Sequence, residues 1–543
     1  MSDPQPSRRR FIGAALAAGA CALLPPARAT VASVVAVEGG RVAGTRIDGL
    51  HVFRGIRYGA DTAPRRFRPA APPVPWRGIR SADAFGANAP QNGAGGPGCE
   101  DCLFLNLWTP ALDDGAKRPI LVYVHGGGFD TGSGSDPLYD GGRLCRHGDA
   151  VVVTVNHRLN VFGYLALRDL GGAAFAQSGN IGQLDLVMAL HWIRRHAARF
   201  GGDADNVTLF GQSGGGAKIA TLMAMPAARG LFHRAWTMSG QQVTAAGPRA
   251  AMQRAQLFLD ALDARNGAGP PRAEAAHRAD VDFERLCALP ATDLLAALST
   301  PDPSRIEDTR LYFGPVMDGV SLPRHPFWPD AAPQSAAVPM VVGNTRDETR
   351  AFLGSDPAHF ALTWATLPER LRTQQYVDLD PDGVVAAYRR MYPHYSPSDV
   401  FFAATTAGRS WRGAVETLEA RARQGAPTWA YQLDWYPRTP EGERLRAFHT
   451  LDIPLVFDTV DMPGARTGAD ADARRMAATL RDALLAFARH GDPGHPGLPD
   501  WRSYSLERRE TMVLDRRSTL QRDPRGGERE LYRQAPFVQR GTF

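Results

Sequence analysis

From residue 31 onward the apolar positions follow two rhythms that take turns. Short β-type runs rich in Val, Ile, Leu and aromatics occur at "VASVVAV" (31–37), "LHVFRGIRY" (50–58), "CLFLNLWTP" (102–110), "RPILVYVHGG" (118–127) and "DAVVVTVNHR" (149–158). They recur at "NVTLF" (206–210), "RAWTMSG" (234–240), "VPMVVGNTRDE" (338–348) and "PTWAYQLDWY" (427–436). Turn residues end each run, as expected of strands. Between them lie stretches of helical period. In "IGQLDLVMALHWIRRHAARF" (181–200), Leu184, Val187, Met188, Leu190 and Trp192 mark an apolar side. A helix should leave residue 213 and run to about Pro226, and "ARRMAATLRDALLAFARHG" should be a helix stopped by Gly491 and Pro493. Residues 245–310 and 355–425 read as helical insertions. Near-continuous apolar strands separated by helices predict an α/β fold: a large, mostly parallel sheet covered on both faces. No internal repeat or disordered linker divides residues 30–543, so they are expected to form one domain.

Composition alters this picture little. The chain has 543 residues, 44% hydrophobic and 22% charged, enough for a large core. The formal charge is +6, and lysine occurs only at 117 and 218 among 62 basic residues. The basic residues form no long runs, which argues against nucleic-acid binding. The N-terminal segment "SRRRFIGAALAAGACALLPPARA" adds more. A basic start, an apolar stretch from Phe11 to about Leu24 and the small-x-small end Ala27-Arg28-Ala29 predict a signal peptide over residues 1–29. Ser7-Arg8-Arg9-Arg10-Phe11-Ile12 resembles a twin-arginine export signal. The mature chain is then expected to be exported, periplasmic or secreted, with no membrane span. After removal of Cys21, Cys99, Cys102, Cys145 and Cys287 remain. Cys99-Glu-Asp-Cys102 has metal or redox spacing, but no second pair completes a zinc set, leaving one short disulfide or free thiols.

The chemistry centres on "NVTLFGQSGGGAKIA". A strand enters, Ser213 stands at the bend and a small-residue helix leaves. Such a reversal strains the serine backbone, and side chains at Gly211 and Gly215 would clash where strand and helix cross. A serine hydroxyl also needs oxyanion donors and a base. "VYVHGGGFDTGS" (122–133) supplies a strand followed by a glycine loop. There Gly127 and Gly128 can turn their N–H groups inward, with Gly214 completing the set.

With these motifs in place, the chain resembles the type-B carboxylesterases, the cholinesterase-like branch of the α/β-hydrolases. The resemblance rests on "FRGIRYG", "CEDCLFLNLWTP", "HGGGF", "NHRLNVFGYLAL", "GNIGQLDLVMALHWI", "FGGDADNVTLFGQSGGG", "FGPVMDGVSLPRHPF" and "FARHGDPGHPGLPDW", in family order across 31–543. It implies an α/β-hydrolase fold whose helical insertions form a cap over a gorge. It also implies a Ser-His-Glu triad. Glu348 in "VVGNTRDETRAFL" matches the acid, with Asp347 the adjacent alternative and Thr349 where Gly is usual. His449 in "FHTLDIPLVF" matches the base, with Asp452 where Glu is common. His125 is expected to orient the oxyanion loop, and Glu100 to pair with Arg66.

The implied reaction is hydrolysis of a small carboxylic ester by water, with no metal or organic cofactor. The same triad would also serve an amidase, a carbamate hydrolase or a transacylase, and some relatives are non-catalytic binding modules. Two departures shape the substrate. Gln212 is neutral where cholinesterases carry Glu, and "APQNGAGGPG" (89–98) lacks the aromatic that holds a quaternary ammonium there. Both point to a neutral ester. Ala89 stands where relatives place the Cys that partners the "EDC" cysteine, which puts that family disulfide in doubt.

Overall fold

The central strands are buried on both sides because alternate residues feed two separate cores. In the computed structural model, which describes residues 33–93, 96, 98–265, 282–303 and 310–539, the strands are β1 Ser33–Val37, β2 Gly40–Ile47, β3 Leu50–Arg57, β4 Ile79–Ser81 and β5 Phe104–Thr109. They continue as β6 Arg118–Val124, β7 Val151–Val155, β8 Gly202–Gln212, β9 Arg234–Met238, β10 Met340–Thr345, β11 Thr428–Leu433, β12 Glu510–Leu514 and β13 Thr519–Arg522. On β6, Ile120, Val122 and Val124 face one core with Val153, Leu209 and the helix Ile181–His196. Leu121 and Tyr123 face the other, with Phe210, Trp236 and the helix Ala471–His490. That two-residue alternation with both sides apolar is why these strands read as unbroken hydrophobic runs.

Among the described residues the sheet runs β1-β2-β3-β5-β7-β6-β8-β9-β10-β11-β12-β13, with β4 paired to β2. The stretch from β7 through β12 is parallel, and the flanking pairs are antiparallel except β2 with β4, which is parallel. The described residues from Ser33 onward belong to one compact unit. The predicted signal peptide lies outside the described residues.

The structure adjusts several boundaries. Leu184 and Met188 on the helix Ile181–His196 are only half-buried at the rim of the core, while Leu186 and Ile193 are buried. The helix after residue 213 spans Gly214–Leu222, and a separate short turn occupies Pro226–Ala228. Strand β2 was not marked by the apolar pattern, since its "GRVAGTRI" interleaves glycine and arginine on a half-exposed edge. The insertions are helical as expected: Pro248–Arg265, Phe283–Ala288 and Ala291–Ala297 in the first, and a series ending in Arg412–Gln424 in the second. A π-helical turn at Ala407–Trp411 interrupts that series. Among the described residues no helix is long and apolar enough to cross a membrane.

Candidate active site

Strand β8 delivers Ser213 at its carboxyl end, and the helix Gly214–Leu222 starts at once. Ser213 sits at φ 57, ψ −126, a region that non-glycine residues rarely adopt. Its N–H donates to Met238 O of β9 at 2.7 Å, which ties the strained residue to the sheet. The crossing is tight enough that a Cβ on Gly215 would lie 1.9 Å from Val124 O. Glycine there lets the helix lie against β6.

The loop after β6 has three successive peptide planes whose carbonyls are engaged. His125 O accepts from Lys218 Nζ at 3.0 Å, Gly126 O meets His125 Nδ1 at 2.9 Å, and Gly127 O accepts from Thr131 N at 3.0 Å. In a trans peptide the N–H points opposite the carbonyl, so the N–H groups of Gly127 and Gly128 are turned away from these partners. Gly127 and Gly128 have φ of 84° and 62°, which glycine accommodates without strain. Among the described residues, no protein acceptor takes the N–H of Gly127, Gly128 or Gly214. Gln91 clasps the far end of the loop, with Oε1 accepting from Gly132 N at 2.7 Å and Nε2 donating to Gly132 O at 3.0 Å.

Glu348 follows β10 and is fully buried. Its Oε1 accepts from Thr345 N at 2.9 Å and Asn344 Nδ2 at 3.2 Å, and its Oε2 accepts from His449 Nδ1. Burial alone would raise its pKa. The adjacent His449 and hydrogen bonds from His449, Ser239 and the Thr345 N–H outweigh that and hold the carboxyl below its ordinary range. Asp347 points elsewhere: it pairs with Arg350 at 3.3 Å. Thr349, the residue in the usual glycine position, is buried and anchors the segment, its Oγ1 bonding Phe402 O at 3.0 Å and Thr405 Oγ1 at 2.8 Å.

With Nδ1–H given to Glu348, His449 Nε2 carries the lone pair, and the Gln212 side-chain amide meets it at 3.1 Å. Among the described residues no hydrogen bond joins Ser213 Oγ to His449. Ser213, Gln212, Gly127, Gly128, Gly214 and His449 nevertheless line one cavity of about 1600 Å³. Phe352, half exposed, lies over the His449 ring with centroids 4.7 Å apart. Both helical insertions reach the cavity, the first through Leu298 and Arg310, the second through Tyr376 and Arg409. The C-terminal segment 536–539 also lines it, which the sequence pattern did not suggest.

His125 is buried and stacks on His157, with centroids 4.8 Å apart. Burial first, and Lys218 second, push its pKa well below 6.5, so it stays neutral. Arg66 forks onto Glu100, with Nε donating to Oε2 at 2.9 Å, and its Nη1 donates to Leu289 O at 2.7 Å, so the pair braces a first-insertion turn. The four cysteines among the described residues are free thiols.

Sequence reasoning missed Ser239, the residue after β9. Its φ is 50°, and its hydroxyl supports Glu348. It also gave Asp452 no role. That carboxyl is fully buried, accepts from Tyr431 OH at 2.9 Å, and has its pKa raised to about 6 by burial and then by the charge of Glu348. Neither residue lies in a motif that spacing alone would single out. Among the described residues, no three His, Cys, Asp or Glu side chains gather into a metal-binding group.

Residues 31–531 match the carboxylesterase family as a whole. The chain is 34% identical to the para-nitrobenzyl esterase of Bacillus subtilis (strain 168), covering 92% of this chain and 98% of that one. It is 32% identical to the phenmedipham hydrolase of Pseudarthrobacter oxydans, over 88% and 93% of the two chains. The crystal structure of the Geobacillus stearothermophilus carboxylesterase EST55 superposes with a TM-score of 0.78 at 37% identity, covering 92% of this chain and 99% of that one.

Proposed function

The chain belongs to the carboxylesterase family, and on that premise we propose that it cleaves neutral carboxylic esters through an acyl-enzyme on Ser213. The α/β-hydrolase scaffold and ester hydrolysis come with the family. The assignment of roles is our reading, and one observation carries it. A strained serine, a glycine loop with free N–H groups, and a histidine backed by a buried carboxylate share the wall of one cavity.

In this reading His449 Nε2 takes the Ser213 proton as Oγ attacks the ester carbonyl. The Gln212 amide, which meets Nε2 in the resting site, gives way to the serine hydroxyl; catalytic hydrogen bonds commonly close only when substrate is bound. The N–H groups of Gly127, Gly128 and Gly214 receive the oxyanion, each worth about 10²–10³ in rate where such donors have been removed elsewhere. Glu348 fixes the Nδ1–H tautomer and stabilises the imidazolium. Protonated His449 then hands its proton to the departing alcohol, and water cleaves the acyl-enzyme by the same steps.

The neutral substrate is argued from Gln212. An amide offers a quaternary ammonium no charge, and the 89–98 loop offers it no aromatic face. We further propose export through the N-terminal Arg8-Arg9 segment. Retention of an Arg8→Lys, Arg9→Lys double variant inside the cell would support it; unchanged export would contradict it.

The test of the activity is labelling by a fluorophosphonate beside turnover of matched ester, amide and choline-ester substrates. Ester turnover and labelling lost together in Ser213→Ala fit the reading. Full turnover by Ser213→Ala, or a preference for choline esters, would overturn it.

A further inference from the structure

Lys218 is the one buried lysine in a chain that otherwise uses arginine almost throughout. It lies on the helix Gly214–Leu222, five residues after Ser213, with no exposed surface. Burying an ammonium is costly unless its donors are used. No carboxylate contributes to its titration: burial alone lowers its pKa to about 7. What it touches is the glycine loop, at both ends. Nζ donates to His125 O at 3.0 Å, and lies 5.9 Å from the centre of the Phe129 ring. An unpaired cation at that spot is poor value for stability, so its place under the loop needs another reason.

We propose that Lys218 is the positioning residue of the oxyanion loop: by holding the His125 carbonyl it sets the turn that presents the Gly127 and Gly128 N–H groups. The argument is geometric. Lys218 fixes the first of three linked peptide planes, and His125 Nδ1 fixes the second by bonding Gly126 O at 2.9 Å. Thr131 N fixes the third through Gly127 O. The planes are joined at the Cα atoms of Gly126 and Gly127, whose dihedrals are soft, so a hydrogen bond on each carbonyl is what holds the set in one arrangement. Burial first, and Lys218 second, hold His125 and its stacking partner His157, 4.8 Å away, well below the usual imidazole range. His125 therefore remains neutral with one N–H, and that N–H is committed to Gly126 O. Lys218 thus carries the shape of the loop from the nucleophile's own helix, so serine and oxyanion donors are registered by one side chain.

This inference rests on the proposed roles of Ser213 and the glycine loop. The test compares wild type, Lys218→Met and Lys218→Arg, each normalised to the serine titrated by fluorophosphonate. For each, kcat, KM and the inhibition constant of a trifluoromethyl ketone are measured, since that ketone's hemiketal oxygen mimics the oxyanion. We expect Lys218→Met to lower kcat about 10- to 100-fold with KM within about twofold. Ketone affinity should fall in parallel with kcat/KM, and Lys218→Arg should recover part of both. Unchanged kcat and ketone affinity in Lys218→Met, with only a lower melting temperature, would overturn the proposal. So would a rise in KM alone, or equal impairment of the Met and Arg variants. If the methionine variant does not fold, Lys218→Gln carries the same comparison, and retained activity there is equally fatal. Failure of wild type to label, or activity in Ser213→Ala, would instead sink the reading on which this one rests.

Discussion

Gly215→Ala tests how tightly the nucleophile and the oxyanion loop are registered. The added Cβ would lie 1.9 Å from Val124 O, 2.8 Å from Val124 C and 3.0 Å from His125 O. All three are backbone atoms of β6 and the start of the glycine loop, so no side chain can swing aside. To reach a tolerable contact the helix carrying Ser213 must move off β6 by more than about 1 Å, and displacement on that scale can cost about 10² in rate. Forcing volume into a packed crossing should also destabilise the fold by roughly 1–3 kcal/mol. The assay is kcat/KM on a p-nitrophenyl ester, paired with a thermal melt and the rate of fluorophosphonate labelling. Gly247→Ala serves as the control, because its Cβ would meet nothing within 4 Å. A drop of about 100-fold in Gly215→Ala, with labelling slowed in step, supports the geometry. Wild-type kcat/KM within about threefold would refute the claim that this crossing sets the site.

Two further substitutions probe the charges around His449. Gln212→Glu places a carboxylate at the atom that now meets Nε2 at 3.1 Å. It should favour the imidazolium and move the acidic limb of the kcat/KM profile upward by about one to two pH units; an unmoved limb would contradict the contact. Asp452 has a folded pKa of about 6 against an ordinary 3.8, so the folded chain holds its proton more tightly than the unfolded chain. Its contribution to stability is therefore intact below about pH 4 and is lost as pH rises through about 6. Asp452→Asn, which keeps an acceptor for Tyr431 OH, should remove that penalty. It is expected to raise the melting temperature at pH 7–8 by an amount equivalent to about 2–3 kcal/mol, and much less at pH 4.5. An equal shift at both pH values would contradict the burial of a strained charge. Glu348, held below its ordinary range, works in the opposite sense: it stabilises above about pH 4.5 and that support falls away on acidification.

What could be read in advance depended on how local the constraint was. The elbow is local: a strand, a strained serine and a helix within ten residues demand glycine at fixed places, so Ser213, Gly211 and Gly215 stood out. The central strands were equally legible because both faces are buried and apolar residues dominate their buried stretches, with only scattered polar residues between. His449 was different. It lies in an irregular turn between Arg446 and Thr450, both with positive φ, and no periodicity marks it; only its likeness to a family stretch picked it out. Lys218 was the least legible. A lysine in a small-residue helix reads as a solvated position, and it is buried here only because that helix is pressed between the sheet and the glycine loop. Gln212 was noticed for the charge it lacks, while its contact with His449 spans residues 237 apart in the chain and had no local signature.

The central claim is that Ser213 carries the acyl group. Rapid mixing of the enzyme with a p-nitrophenyl ester, quenched in acid and followed by peptide mapping, addresses it most directly. The account predicts a burst of nitrophenol approaching one per chain, with the acyl mass on the peptide containing Ser213 and neither signal in Ser213→Ala. Turnover with no burst and no trapped acyl group, or an acyl group on another residue, would contradict it.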